Sequence, residues 1–214
     1  MEIAIPIYDR FTALDAIGPY QVLSMMPGAT VRFLAADAGP VCTDNGMLTV
    51  LAEAPYEDVA HPEVVVVPGG PGSRALLADE RLLDWLRAAH ESSRYTTSVC
   101  TGSLLLAAAG LLDGIDATTH WLVRDQLAEL GAQPVPERVV ERGKLVTAAG
   151  VSAGIDMALR LAELLAGADT AQAIQLGIEY DPQPPFDAGS PEKAPSEIVE
   201  RLRGRMPRPE TPAA

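Results

Sequence analysis

The sequence predicts a three-layer α/β sandwich, built on a mostly parallel, doubly wound sheet with a nucleophile elbow at one strand end. Short apolar runs alternate with longer helical patterns, as in strands joined by crossover helices. One run, Val64-Val65-Val66-Val67, lacks the polar alternation of a half-exposed strand and therefore belongs in a sheet covered on both faces. In Ser98-Val99-Cys100-Thr101-Gly102-Ser103 a strand passes into a helical pattern through one sharp turn.

Taken in chain order, residues 3–7 read as the first strand, 13–24 as a helix and 31–35 as the second strand. Asp44-Asn45-Gly46 is a turn signal that joins residues 42–43 to 48–51 in a small hairpin. The valine strand follows, then a helix over 80–93 and a fourth strand over 96–99. Helices are expected over 103–111 and 121–130, with Gly110-Leu111 and Gly131 as stops. Arg142-Gly143 joins 138–141 to 144–147 in a second hairpin, and a helix spans 152–165. The run Tyr180-Asp181-Pro182-Gln183-Pro184-Pro185-Phe186-Asp187 excludes regular helix, because prolines remove donors and disfavour helix before them. It reads as an extended strap ahead of a short helix near 195–202. With no internal repeat or composition break, residues 1–214 are expected to form one domain, with the strap and short helix at about 180–206.

A chain of 214 residues that is 48% apolar and only 5% aromatic buries an aliphatic core. Sixteen basic against twenty-nine acidic residues leave a net charge of −13, which argues against nucleic acid or an anionic membrane as partner. Arg201, Arg203, Arg205 and Arg208 accordingly read as a solvated helix face and tail. No run reaches the roughly 18 apolar residues needed to span a bilayer. The first residues lack the apolar stretch of a signal peptide, and two cysteines make no disulfide framework. The expected location is the cytoplasm. His61, His90 and His120 are scattered without zinc-ligand spacing, and no phosphate-binding glycine motif occurs, so neither a metal nor another cofactor is expected.

Cys100 is the residue around which chemistry can be built. An elbow would project its sulfur at the carboxyl edge of the sheet, where ligands of open α/β folds bind, and the dipole of the following helix would favour thiolate. The alternative is a small buried apolar residue. Cys42, beside the first hairpin, reads as structural. Pro68-Gly69-Gly70-Pro71-Gly72 reaches the same edge and either offers backbone amides to an oxyanion, with Gly70 as the donor, or is a tight turn. Asp15 either faces that edge or is a first-turn acid. His120 either polarises the thiol or bonds locally.

On these residues the chain resembles the PfpI (DJ-one) superfamily. The segment from Asp15 to Gly18-Pro19, the run Val64 through Gly72, Val99-Cys100-Thr101-Gly102, Ala117-Thr118-Thr119-His120-Trp121, and Thr147-Ala148-Ala149-Gly150-Val151-Ser152-Ala153-Gly154-Ile155-Asp156 carry the likeness over about the first 165 residues. It implies the flavodoxin-like fold of class I glutamine amidotransferases. No histidine follows His120, which disfavours glutaminase chemistry, and Thr101 stands where the peptidase-like and glyoxalase-like branches place histidine.

Asp15, Cys100, Thr101 and the strap instead resemble the branch that contains isonitrile (isocyanide) hydratases. That resemblance implies attack of Cys100 on an isonitrile carbon to form a thioimidate, which water resolves to an N-substituted formamide. Asp15 would act as proton donor and acceptor, and Thr101 would supply contacts beside Gly69 and Gly70. It further implies a small-molecule substrate, no cofactor and a homodimer, with Trp121 and Met157 as pocket candidates. The competing readings are a redox or metabolite sensor, disfavoured because the chain ends at Ala214 with no room for a helix-turn-helix region, and a carbonyl-detoxifying member, disfavoured by aspartate in place of glutamate.

Overall fold

The computed structural model describes residues 1–204, which fall into two compact units that divide after Glu179, where the proline-rich strap begins. The first unit runs β1 (Glu2–Pro6), α1 (Ala13–Leu23), β2 (Thr30–Ala35), β3 (Gly39–Cys42), β4 (Thr49–Ala52), β5 (Ala54–Pro55) and β6 (Val64–Val67). It continues with α2 (Glu80–Ser92), β7 (Tyr95–Val99), α3 (Gly102–Ala108), β8 (Asp116–Ala117), α4 (Arg124–Glu129), β9 (Gln133–Pro134), β10 (Val139–Arg142), β11 (Leu145–Ala148), α5 (Ala153–Ala166) and α6 (Ala168–Gly177). The second unit holds the strap, without regular structure from Tyr180 to Pro184, and α7 (Ser196–Arg203). Arg205, Arg208 and the last two residues of the expected 180–206 strap-and-helix segment lie outside the described residues.

The main sheet has the order β10-β11-β7-β6-β1-β2-β5, and every pairing in it is parallel except β10 with β11. It is the mostly parallel, helix-flanked sheet that the sequence predicts. Helices α1, α5 and α6 pack together on one face, and α2, α3 and α4 lie on the other. Val64 to Val67 have no exposed surface, as a strand between two helical layers requires. Each such side chain contributes about 1.5–3 kcal/mol of transfer free energy relative to exposure. The small hairpin forms as a separate sheet of β3 and β4, with Thr49 opposite Cys42.

Three differences from the sequence pattern have local causes. Residues 121–130 divide into a tight 3-10 turn, Trp121–Val123, and a short helix. The helix after the elbow stops at Ala108, and Gly110 takes a positive φ of 79°. Helix α6 carries no strong apolar stripe, buries only Ile174 and starts after Gly167, whose φ of 87° turns the chain out of α5.

Topology brings three loops together. Strands β7, β6 and β1 are parallel neighbours, with Val67 opposite Ser98 and Ala4 opposite Val65. The segments leaving their carboxyl ends hold Cys100, Pro68 to Gly72, and Asp15 respectively. The site therefore assembles at one edge of the sheet from parts of the chain that are far apart in sequence.

Candidate active site

Cys100 follows β7 with a φ of 57°, a left-handed conformation that few residues other than glycine adopt. The elbow is held from several sides. The Cys100 amide donates to the carbonyls of Ala148 (3.1 Å) and Ala149 (2.8 Å), while its carbonyl accepts from Thr119 Oγ1 (2.9 Å) and Ser103 Oγ (3.2 Å). Gly102 permits the turn to press against β6, since a Cβ there would lie 2.1 Å from the Val67 carbonyl oxygen.

Asp15 sits in the first turn of α1 and has no exposed surface. Pro19 has no amide hydrogen for the Asp15 carbonyl four residues back, so the helix forgoes one bond there. The carboxyl instead points toward the elbow. Its Oδ2 accepts the Gly69 amide at 2.9 Å, and its Oδ1 has no formed hydrogen bond. Burial pushes the Asp15 carboxyl up to about 7 from an ordinary 3.8, against the lowering effects of the Gly69 amide and the Cys100 thiol, and nearby Asp44 raises it further. Burial likewise pushes the Cys100 thiol well above its ordinary range; the Asp15 carboxylate adds to this, and the Thr101 amide and hydroxyl oppose it. The thiolate-favouring elbow expected from the helix dipole is therefore corrected. Desolvation, and then the adjacent Asp15 carboxylate, raise the thiol's pKa, opposite to the effect expected of the seven-residue helix.

Thr101 and the glycine loop lock together. Thr101 Oγ1 accepts the Gly70 amide at 2.8 Å, and Ser73 Oγ lies 3.0 Å from it. Both glycine amides thus serve protein side chains, Gly69 holding Asp15 and Gly70 holding Thr101, which differs from the expected supply of free amides to an oxyanion. A Cβ on Gly69 would lie 2.4 Å from the Thr101 nitrogen and 2.9 Å from Asp15 Oδ2, so the close approach demands glycine. Gly70 has a φ of 137°.

His120 is placed elsewhere. Its Nδ1 accepts the Leu122 amide at 3.4 Å, its ring stacks on Trp121 with centroids 6.0 Å apart, and its Cδ2 faces Gly150. Burial, and then Arg124, lower its pKa. No hydrogen bond joins it to Cys100 among the described residues. Met157 is fully buried, and Cys42 is half-buried on β3. Among the described residues no three His, Cys, Asp or Glu side chains gather as metal ligands, and no helix is long and apolar enough to cross a membrane.

Three neighbours are given no role by the sequence reading. Tyr8 lies just past β1, is buried, and donates its hydroxyl to the Pro68 carbonyl at 2.7 Å; burial first, then Asp15 and Cys100, raise its pKa. Ser73 and Thr119 are fully buried and bond the glycine loop and the elbow. The available signal was position: Tyr8 follows the first strand and Ser73 the glycine loop, both at the carboxyl edge.

The chain has relatives among known proteins. The chain is 47% identical to the isonitrile hydratase of Pseudomonas putida over 205 residues, 96% of this chain and 90% of that protein. It is 32% identical to the HTH-type transcriptional regulator CdhR of Pseudomonas aeruginosa over 82% of this chain but only 52% of the regulator. A ThiJ/PfpI family protein from Pseudomonas syringae superposes with a TM-score of 0.92 at 38% identity, covering 95% of this chain and 84% of that one. Drosophila melanogaster DJ-1beta shares the fold, with a TM-score of 0.77 over 85% of this chain and 98% of its own. The DJ-1/PfpI family profile matches residues 1–164, the stretch that carries the elbow, the glycine loop and Asp15. The chain belongs to the DJ-1/PfpI family.

Proposed function

We propose that the protein is an isonitrile hydratase, adding water to an isonitrile to give an N-substituted formamide. The observation that carries this reading is the buried pairing of Asp15 with Cys100, where a carboxyl raised to about 7 stands beside a protonated thiol. The 47% identity to the Pseudomonas putida isonitrile hydratase supports it.

The chemistry follows from where protons sit. Ionised Asp15 takes the thiol proton as sulfur bonds to the terminal isonitrile carbon, and returns that proton to the same carbon, leaving R–N=CH–S–Cys. Water then adds across the C=N bond, its oxygen to carbon and one proton to nitrogen by way of Asp15. The C–S bond breaks as the hydroxyl proton passes back through Asp15 to sulfur, releasing R–NH–CHO and the free thiol. Thr101, held by Gly70, contacts the sulfur throughout. Little charge gathers on oxygen in the first step, which suits a site whose Gly69 and Gly70 amides are already engaged.

A redox sensor fits less well, because oxidation follows thiolate character and exposure, and Cys100 is 5% exposed with its pKa raised. The same proposal includes a small-molecule substrate, no nucleic-acid partner, a homodimer and a cytoplasmic location. The test is incubation of the purified protein with cyclohexyl isocyanide, following the formamide by NMR. Turnover that Cys100→Ala abolishes is expected; no turnover, or full turnover by Cys100→Ala, overturns the reading.

A further inference from the structure

Tyr8 follows β1, is buried, and stands outside the attacking pair. Its hydroxyl donates to the Pro68 carbonyl at 2.7 Å, and the Gly69 amide donates to Asp15 Oδ2 at 2.9 Å. That carbonyl and that amide belong to one peptide group, which is rigid and planar. The peptide is trans, so its carbonyl and amide point to opposite sides: Tyr8 grips one edge of the plane and Asp15 the other. The next peptide repeats the pattern with a main-chain donor. The Thr12 amide donates to the Gly69 carbonyl at 2.8 Å, and the Gly70 amide on the far side reaches Thr101 Oγ1. The segment between β1 and α1 therefore fixes both planes from behind, and Tyr8 supplies the side-chain part of that backing.

We infer that Tyr8 is a positioning residue for the Asp15 carboxylate: through the peptide plane between Pro68 and Gly69, its hydroxyl orients and strengthens the amide that Asp15 Oδ2 accepts. A donor on the carbonyl oxygen draws electron density from the amide nitrogen, which makes the amide proton a better donor to an anion. It also takes away the plane's freedom to swing. The Tyr8 ring is itself held, since a Cβ on Gly72 would lie 3.2 Å from its Cδ2. Burial, then Asp15 and Cys100, keep the phenol protonated, so it donates across the neutral range. The other groups that face Asp15 are the Cys100 thiol on the elbow and Asp44 in the hairpin between β3 and β4. Of the influences that favour ionised Asp15, the Gly69 amide is stronger than the thiol, so a change at that amide is felt at the carboxyl.

The inference rests on Asp15 as the base, but its test reads the carboxyl directly and needs no isonitrile. In protein carrying carbon-13 at the aspartate carboxyls, the Asp15 resonance is the one missing from Asp15→Asn, and its titration is followed by NMR between pH 4 and 9. Tyr8→Phe keeps the ring and removes the hydroxyl. It is expected to raise the Asp15 midpoint by about half to one pH unit, a fraction of the worth of a charge-assisted hydrogen bond, and to move the Gly69 amide proton upfield. Tyr8→3-fluorotyrosine, a stronger donor of nearly the same shape, is expected to move both the other way, and decides the matter if Tyr8→Phe does not fold. Thr97→Val is the control: it removes a fully buried hydroxyl from another β6 carbonyl, that of Val65 at 2.9 Å, and is expected to leave the Asp15 midpoint in place. An unchanged midpoint and Gly69 amide in the Tyr8 variants, or an equal shift in Thr97→Val, overturns the inference. The expected shifts in protein that turns over no isonitrile support the inference and count against the hydratase reading alone.

Discussion

Asp15 and Cys100 stand side by side out of water, and each sets the other's proton. The thiol makes the carboxyl easier to ionise, and the carboxylate makes the thiol harder to ionise. Near pH 7 the resting pair is therefore a carboxyl about half ionised beside a thiol, not a lone thiolate.

That arrangement predicts the pH dependence of catalysis. Asp15 accepts the proton only when ionised, so kcat/KM for the isonitrile should rise from pH 5 to pH 8 with a midpoint near 7, where burial places its pKa. Initial rates of formamide formation across that range check this. A midpoint near 4 would mean that Asp15 is not the base.

The same burial predicts a stability trade. A carboxyl raised from 3.8 to about 7 contributes stability that is fully present below its unfolded value and lost as pH rises through its folded value. The melting temperature should therefore fall between pH 6 and pH 8. Asp15→Asn, whose amide can still accept from the Gly69 amide, should lack this slope and melt about 5 °C above the parent at pH 8 while losing activity at least a hundredfold. Paired thermal melts at the two pH values decide it.

Gly69→Ala should reduce turnover at least a hundredfold, because its Cβ would intrude on the Thr101 nitrogen and on Asp15 Oδ2. Gly189→Ala meets no atom within 4 Å and should leave turnover unchanged. Steady-state kinetics on both variants check the contrast.

His120→Asn should retain activity within about tenfold, less than the loss expected for a general acid or base. Its Nδ1 serves the Leu122 amide, and it makes no hydrogen bond to Cys100 among the described residues. A drop of a thousandfold would place the histidine in the proton path.

The central strand was legible because Val64 to Val67 are buried on both faces, so burial leaves a continuous apolar signature. Helix α6 was not, since an exposed helix needs no stripe. At the site, Cys100 and Asp15 could be read because strand ends mark the carboxyl edge. The engagement of the Gly69 and Gly70 amides could not, for a hydrogen bond across 54 or 31 residues leaves no local pattern. The thiol's upward shift was hidden likewise, because the helix dipole is local whereas desolvation is made by the whole fold.

The left-handed backbone at Cys100 carries a consequence for how this protein can change. Any lineage or laboratory selection that rewards stability alone will favour glycine there, since glycine relieves the φ of 57° without disturbing the carbonyls of Ala148 and Ala149 that receive the amide. Cys100 is thus a residue that backbone strain alone would replace, and the sulfur is kept at a cost in stability.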